Sequence, residues 1–573
     1  MNATTTPALT RRSVLAAGTA GGAALALAAC SGGSGGGNGS GGGGAAEPAA
    51  ATTNEMNPVD YDQVAAGGEL RWPLSQIPTN FNYGHLDGTL NDNANVIFAC
   101  LPRPYAFDAG ATPVVNEDYF TSIELTSESP QVVTYTINPD ATWSDGTPIT
   151  AADFIAQWQA NNGTNPAFTI SASNGYDQIA DVKQGADEKQ AVVTFATTYG
   201  DWQAIFDPLY PASTNTDPAV FNEGWIEKMP VTAGPFTLEG IDQASQTISL
   251  VPDPKWWGRA PKLERITYRV LDSDAQVDAL ANGEVDYVDL GASASNYQRA
   301  STLTGVQVRR AGGPNYRHIT FNGGSALLSD VAVRHAVARA IDRPTIAKAL
   351  LGPLGGTPKP LDNHIFMTNQ DGYEANAGDL TTGDAAAAGA ELEALGWVAG
   401  SDGVRAKDGQ RLSLRVVIPS GVSSAQQESE LVQGMLTEAG VEAQIQAVPS
   451  ADFFERYVNV GDFDLVIFTW IGTPFPVSSS QSIYQSVTGD DVRQNYGRVG
   501  SPEVDAAIAA ATAELDPARK AEVGNALDKA IWAAVHSLTM YQRPDLAACN
   551  EKLQNFGAKG FATVDYTSIG FSA

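Results

Sequence analysis

Cysteine, histidine and basic side chains are all scarce, and each scarcity removes a class of function. Three cysteines in 573 residues do not scaffold a chain of this length, and no CxxC pair is present for zinc or thiol exchange. Cys100 and Cys549 remain available for one bridge outside the cell, which their separation in sequence neither supports nor opposes. The five histidines, His85, His318, His335, His364 and His536, show no HxxxH or HExxH spacing, so they read as packed or surface residues and no metal site is expected. Lysine and arginine number 34 against 64 aspartates and glutamates, a formal charge of −30. Nucleic-acid affinity comes from basic side chains displacing counterions, so a nucleic-acid partner is excluded. No GxxxxGK[ST] and no GxGxxG opening a helix occur, which leaves nucleotide phosphates without a cradle, and no cofactor is expected. Asp272-Ser273-Asp274 begins like a calcium loop, but Val277 stands where the turn needs glycine. The chain reads as a non-enzyme, and a hydrolase assembled from distant Ser, His and Asp residues is the least supported reading.

Apolar content is ample at 43%, enough for large cores. No apolar run is long enough to cross a bilayer in the mature protein. Thr10-Arg11-Arg12-Ser13 leads into the acid-free stretch Ala16–Ala29, about fourteen residues, which suits a signal peptide over residues 1–29. The stretch ends Leu27-Ala28-Ala29-Cys30, which resembles a bacterial lipobox and makes Cys30 the expected site of lipidation. Either Sec or Tat export fits the paired arginines. Residues 30–57 are rich in Gly, Ala, Thr and Pro and read as a flexible tether with a reach of roughly 25–30 Å. The expected location is therefore outside the cytoplasm, anchored to the cell membrane. Gly32-Gly33-Ser34-Gly35-Gly36 matches GxSxG formally, but it lacks the strand and helix a nucleophile elbow needs.

From Gly68 the pattern becomes globular. Short β-branched or aromatic runs bounded by turn residues predict strands at 69–74, 132–137, 191–197, 247–251, 266–271, 306–310, 318–322, 412–418, 442–448 and 463–470. Ser329 or Asp330 caps a helix whose Val333, Ala336, Val337, Ala340 and Ile341 share one face. Thr150 with Asp153 forms a capping box, and Ser501-Pro502 and Asp516-Pro517 each place a cap before proline at the first helical position. Strands alternating with helices over roughly 500 residues argue for mixed α/β lobes. Trp256-Trp257 reads as lobe packing.

The run Tyr135-Thr136-Ile137-Asn138-Pro139-Asp140-Ala141-Thr142-Trp143-Ser144-Asp145-Gly146-Thr147-Pro148-Ile149-Thr150-Ala151-Ala152-Asp153-Phe154 resembles the signature of family 5 extracellular solute-binding proteins. Further blocks follow in order: Thr232–Phe236, Ala279–Asp286, Phe321-Asn322 with Val333–Val337 and Ala340–Arg343, and Asp464–Trp470. Leu70–Leu74 and Phe81-Asn82-Tyr83 are similar to an actinobacterial lipoprotein branch of that family. The resemblance implies a two-lobed periplasmic-binding-protein type II fold with an extra subdomain in the first lobe and a cleft between the lobes. Lobe I is expected over 58–311 plus 540–573, with the subdomain at about 90–230, and lobe II over 312–539. The chain crossings are placed near Gly312–His318 and Leu538–Pro544. Read from the residues alone, Trp143–Gly146 is a strand and tight turn, Asn282-Gly283-Glu284 is a helix end, and Asp342-Arg343 is a cap and ion pair.

Trp470 is the leading ligand candidate because it ends a predicted strand, with Thr473 and Phe475 in the loop beyond, where open α/β lobes present residues to ligand. Asn82, Tyr83, Tyr316, Asn322, Tyr541 and Arg543 are secondary candidates near the first strand and the crossings. The resemblance also implies, in peptide-binding relatives, an aspartate after this tryptophan that holds the peptide amine. Here Gly472 or Thr473 occupies that place. A cationic N-terminus in a closed cleft needs a paired charge, which counts against capture by a free amine and brings a neutral or polyhydroxylated solute, a blocked peptide or a lipid-linked glycan headgroup into consideration. The leading expectation is a monomeric, lipid-anchored substrate-binding protein that hands a peptide-like or other polar solute to an ABC permease. A cell-envelope lipoprotein that binds a glycolipid precursor and regulates its assembly is the alternative.

Overall fold

The computed structural model describes residues 54–572 except Ala451, Asp490 and Asp491. The signal segment and Cys30 lie outside the described residues. Two long antiparallel strands, Val306–Phe321 and Ser537–Asn550, form a spine shared by two cores. Ala311, Ala547 and Cys549 at one end belong to the first core, and Ile319, Phe321, Leu538 and Met540 at the other end belong to the second. The spine strands sit inside a six-stranded sheet, between Tyr287–Asp289 on one side and Leu465–Ile471, Ser413–Pro419 and Glu442–Val448 on the other.

The spine's register breaks midway. Gly312 pairs with Pro544 and Tyr316 with Gln542, so Gly313-Pro314-Asn315 bulge opposite Arg543 alone. The sequence predicts two strands, 306–310 and 318–322, because Gly-Gly-Pro normally ends one. The strand continues because a proline at a bulge need not donate to the ladder. Gly313 also passes so near its partner strand that a Cβ there would lie 2.5 Å from the Arg543 carbonyl oxygen.

The first lobe holds the sheet Glu69–Leu74, Arg265–Val270, Thr247–Pro252 and Phe236–Asp242, whose first pair is parallel. Its extra subdomain is an antiparallel sheet of Phe120–Glu128, Gln131–Ile137, Gln190–Phe195 and Ile179–Gln184. Val133, Tyr135 and Ile137 alternate inward there, as a period of two requires. Helix Ala151–Asn161 packs on this sheet and starts with the full Thr150/Asp153 capping box. Trp143 also donates its indole N–H to Asp153, at 3.3 Å.

In the second lobe, Ser413–Pro419 runs parallel to both Glu442–Val448 and Leu465–Ile471, and Leu465 through Phe468 are buried without alternation, as in a sheet covered on both faces. Asp330, Ser501 and Asp516 cap helices Val331–Arg339, Pro502–Ala513 and Pro517–Ala534. Arg343 is buried and pairs with Asp362 at 2.6 Å, whereas its neighbour Asp342 caps the helix through the Thr345 N–H. Arg317, Glu428 and Tyr541 form a buried network that ties both spine strands to helix Ser423–Glu438.

The terminal segment after the second spine strand returns to the first core through Leu553, Phe556, Val564 and Ile569. The spine and this segment together capture residues that the sequence assigns to the tether. The Glu55 N–H bonds the Arg310 carbonyl at 3.1 Å, and the Asn57 amide bonds Leu553 O at 3.0 Å. Open backbone groups beside the spine outweigh composition at these positions. Cys100 and Cys549 are both buried free thiols. No described helix is long and apolar enough to cross a membrane.

Candidate functional site

A cavity of about 430 Å³ lies where the lobes meet. Pro314, Gly472 and Pro474 line it from the second lobe. Phe98, Arg103, Phe107, Tyr119 and Trp256 line it from the first, and Lys559 to Thr567 of the terminal segment complete the wall.

The second-lobe side is built by the exit of strand Leu465–Ile471. The Gly472 N–H bonds the carbonyl of Pro314 in the spine bulge at 2.8 Å, and a Cβ on residue 472 would fall 2.7 Å from that oxygen. Only glycine fits without backbone movement, which explains why this position carries no carboxylate. Thr473 is committed to local structure: its carbonyl accepts from Gln370 at 3.0 Å, and its hydroxyl oxygen accepts the Phe475 N–H at 3.2 Å. Phe475 crosses to the first lobe and meets Phe107 edge-on at 5.7 Å.

The lobes are shut against each other. Buried Asp201 of the first lobe accepts the Ser478 N–H at 2.9 Å and the Lys520 ammonium at 2.7 Å. Beside it the Gly200 N–H bonds Thr512 O at 2.7 Å. The Asn369 amide reaches Ala109 O at 3.1 Å near the spine.

The other expected ligand residues are not gathered into this cavity. Trp470 stacks between Tyr496 at 5.8 Å and His318 at 5.7 Å, a layer behind the wall. Burial, then Arg317, holds His318 well below the usual imidazole range. Tyr316 is buried opposite Trp470, with its hydroxyl 3.4 Å from that of Tyr484. Asn322 braces a loop through Gly461 O and Phe463 O, at 3.0 and 2.7 Å. The Tyr541 hydroxyl donates to Glu428. Asn82 and Tyr83 line a separate cavity of about 170 Å³ within the first lobe, and the Asn82 amide bonds Phe221 O at 3.0 Å. Arg543 is half-buried beside the hinge-like bulge and finds no hydrogen-bond or ion-pair partner among the described residues.

Several wall residues carry no signal in the sequence. Arg103, Asp118 and Lys559 stand in no motif, and Trp256, read above as packing, faces the cavity as well as its neighbour Trp257. Arg103 holds Asp207 through two bonds of 2.7 Å and lies 4.0 Å above the Phe98 ring. Burial lowers the Lys559 ammonium, and nearby Arg103 adds to that against the opposing pull of Asp545. Burial, then Asp289, pushes Asp545 up to about 6. Burial and then Asp565 raise Asp118.

One arrangement imitates a hydrolytic triad. His364 Nδ1 lies 2.8 Å from Asp528, but its Nε2 meets the main-chain carbonyl of Ser537 at 3.1 Å and not the hydroxyl. All three residues are buried in the second lobe, so no nucleophile faces solvent there. Among the described residues no group of three or more His, Cys, Asp or Glu side chains is arranged to hold a metal ion.

Two α/β lobes on a paired-strand spine, shut over a cavity that both of them line, define a solute-binding protein of the periplasmic type II fold. The sequence profile of bacterial extracellular solute-binding proteins, family 5 (middle region), matches residues 115–492, and the chain belongs to that family. The chain is 42% identical over 524 residues, 91% of its length and 87% of the relative's, to the oligopeptide-binding protein OppA of Mycobacterium tuberculosis. It is 26% identical over 399 residues, 65% of this chain and 62% of the relative, to the "Probable monoacyl phosphatidylinositol tetramannoside-binding protein LpqW" of the same species. Among solved structures, the periplasmic EDTA-binding protein EppA superposes with a TM-score of 0.81 at 27% identity, covering 91% of this chain and 99% of that one.

Proposed function

We propose that this chain is the lipid-anchored receptor of an ABC importer, capturing peptides in the interlobe cavity and presenting them to a membrane permease without chemistry of its own. The observation that carries the reading is a ligand-sized cavity of about 430 Å³ walled by both lobes in a shut conformation. Pockets for small ligands run to roughly 300–1,000 Å³. The 42% identity to an oligopeptide-binding protein favours peptide over the glycolipid reading, for which the LpqW relative at 26% is the support. The hinge falls where the spine bulges, at Gly312–Asn315 opposite Gln542–Pro544, so the lobes divide there. Cys30 supplies the anchor, and the protein acts as a monomer. Native mass spectrometry of the purified protein with the cargo it carries from the cell tests this. Peptide masses are expected, and a mannosylated lipid in their place overturns the reading.

A further inference from the structure

The cavity wall carries charged groups of both signs: Arg103 and Lys559, and Asp118 and Asp565. Arg103 spends Nε and Nη2 on Asp207 and leaves Nη1 without a partner among the described residues. The Lys559 ammonium, half-buried in the same wall, has no hydrogen bond and no carboxylate within ion-pairing distance among those residues. Two neighbouring cations, one partly withdrawn from water and offset only by Asp545 and Asp289 beyond ion-pairing distance, favour the arrival of an anion.

The opposite sign occurs in the same wall. Asp565 is occupied by Arg259, and the Asp118 carboxylate, exposed at the rim of the wall, accepts no hydrogen bond from any described residue. Asp118 is held through its main chain, whose carbonyl accepts the Trp257 indole N–H at 2.9 Å. Tyr119 lies 5.7 Å from Trp256, and both rings face the cavity. A free carboxylate beside aromatic faces suits an ammonium group.

We infer that the cargo is a zwitterion whose carboxylate seats on Lys559 and Arg103 Nη1 and whose ammonium seats on Asp118 beside Tyr119 and Trp256. This rests on the peptide reading of the same cavity and narrows it to peptides with both ends free. The carboxylate missing after Trp470 is supplied by the facing lobe, where glycine is not forced by the spine bulge.

The test uses tetrapeptide pools randomised at every position, with both ends free, with a C-terminal amide or with an N-terminal acetyl group. Their affinities for the purified chain are read by calorimetry. Each blocked pool is expected to bind at least tenfold more weakly than the free pool. Lys559→Gln should erase the amide penalty and keep the acetyl penalty, Asp118→Asn should do the reverse, and Lys559→Arg should keep both. Equal binding of free and amidated pools, or an amide penalty that survives Lys559→Gln, overturns the inference and leaves the peptide reading standing. Binding of none of the three pools overturns both. Inorganic phosphate bound as tightly as the free pool overturns the assignment of the cationic end to a carboxylate.

Discussion

Asp545 is a carboxyl group whose pKa the fold pushes up to about 6, through burial first and Asp289 second. The native state therefore keeps a proton that the unfolded chain has already released between about pH 4 and 6. Its contribution to stability falls as pH rises through that window and is constant above it. Asp545→Asn keeps an acceptor for the Gly560 N–H, now bonded at 2.8 Å, and removes the charge. The variant is expected to be more stable than the parent at pH 7.5 by on the order of 2 kcal/mol and equal to it near pH 4. Urea midpoints at the two pH values check this, and a gain of the same size at pH 4 removes the explanation. At this scale the sequence was only partly legible. Capping side chains such as Thr150, Asp330 and Ser501 act on N–H groups two or three positions away, so a local pattern finds them. Asp118, Lys559 and Trp256 become neighbours of one cavity only through the fold, and no spacing records that.

Between neighbouring elements, the contact that shapes the second-lobe wall is the bond from Gly472 to Pro314. Gly472→Ala puts a methyl group 2.7 Å from a carbonyl oxygen, and both groups are backbone-anchored, so the strand exit has to move. The cost of such overpacking is about 1–3 kcal/mol. The shift displaces Pro474, which lines the cavity. Affinity for the cargo is therefore expected to fall about tenfold or more. Titration of the variant against the free tetrapeptide pool checks the value, and unchanged affinity rules out Gly472 as the shaper of this wall. The strand Leu465–Ile471 was visible as a β-branched run, but the partners of its last side chain were not. Trp470 turned out to be stacked because Tyr496 and His318 arrive from a distant loop and the spine. The Gly312-Gly313-Pro314 run misled for a related reason. Local propensity says stop, while two long hydrogen-bonded partners carry the strand through as a bulge.

Closure belongs to the whole molecule, and its fastening lies far from the spine in sequence. Asp201 joins the first lobe to the Lys520 ammonium and to the Ser478 N–H at the start of helix Pro476–Tyr484, so one carboxylate collects a charge and a helix N-terminus from the opposing lobe. In an open form both lobes would keep their cores and their spine, and this junction would be the part that separates. A ligand moves the open–closed balance only by its preference for the closed state, and a fastening that favours closure lowers the preference required. Hydrogen bonds to a charged group contribute about 1.5–3 kcal/mol. Asp201→Asn weakens both contacts without creating a cavity, so it is expected to shift the unliganded population toward open. Apparent affinity for the free tetrapeptide pool should drop about tenfold, because only the closed fraction binds tightly. The radius of gyration of the unliganded variant should rise, and saturating peptide should return it to the parent value. Thermal unfolding of the unliganded protein should change little, since the two contacts that Asp201→Asn weakens run between the lobes and the exchange leaves the packing of each lobe intact. Small-angle scattering with and without peptide separates the outcomes. A variant as compact as the parent and as tight in binding means that the remaining interlobe contacts, Gly200–Thr512, Asn369–Ala109 and Phe107–Phe475, hold the lobes shut without Asp201.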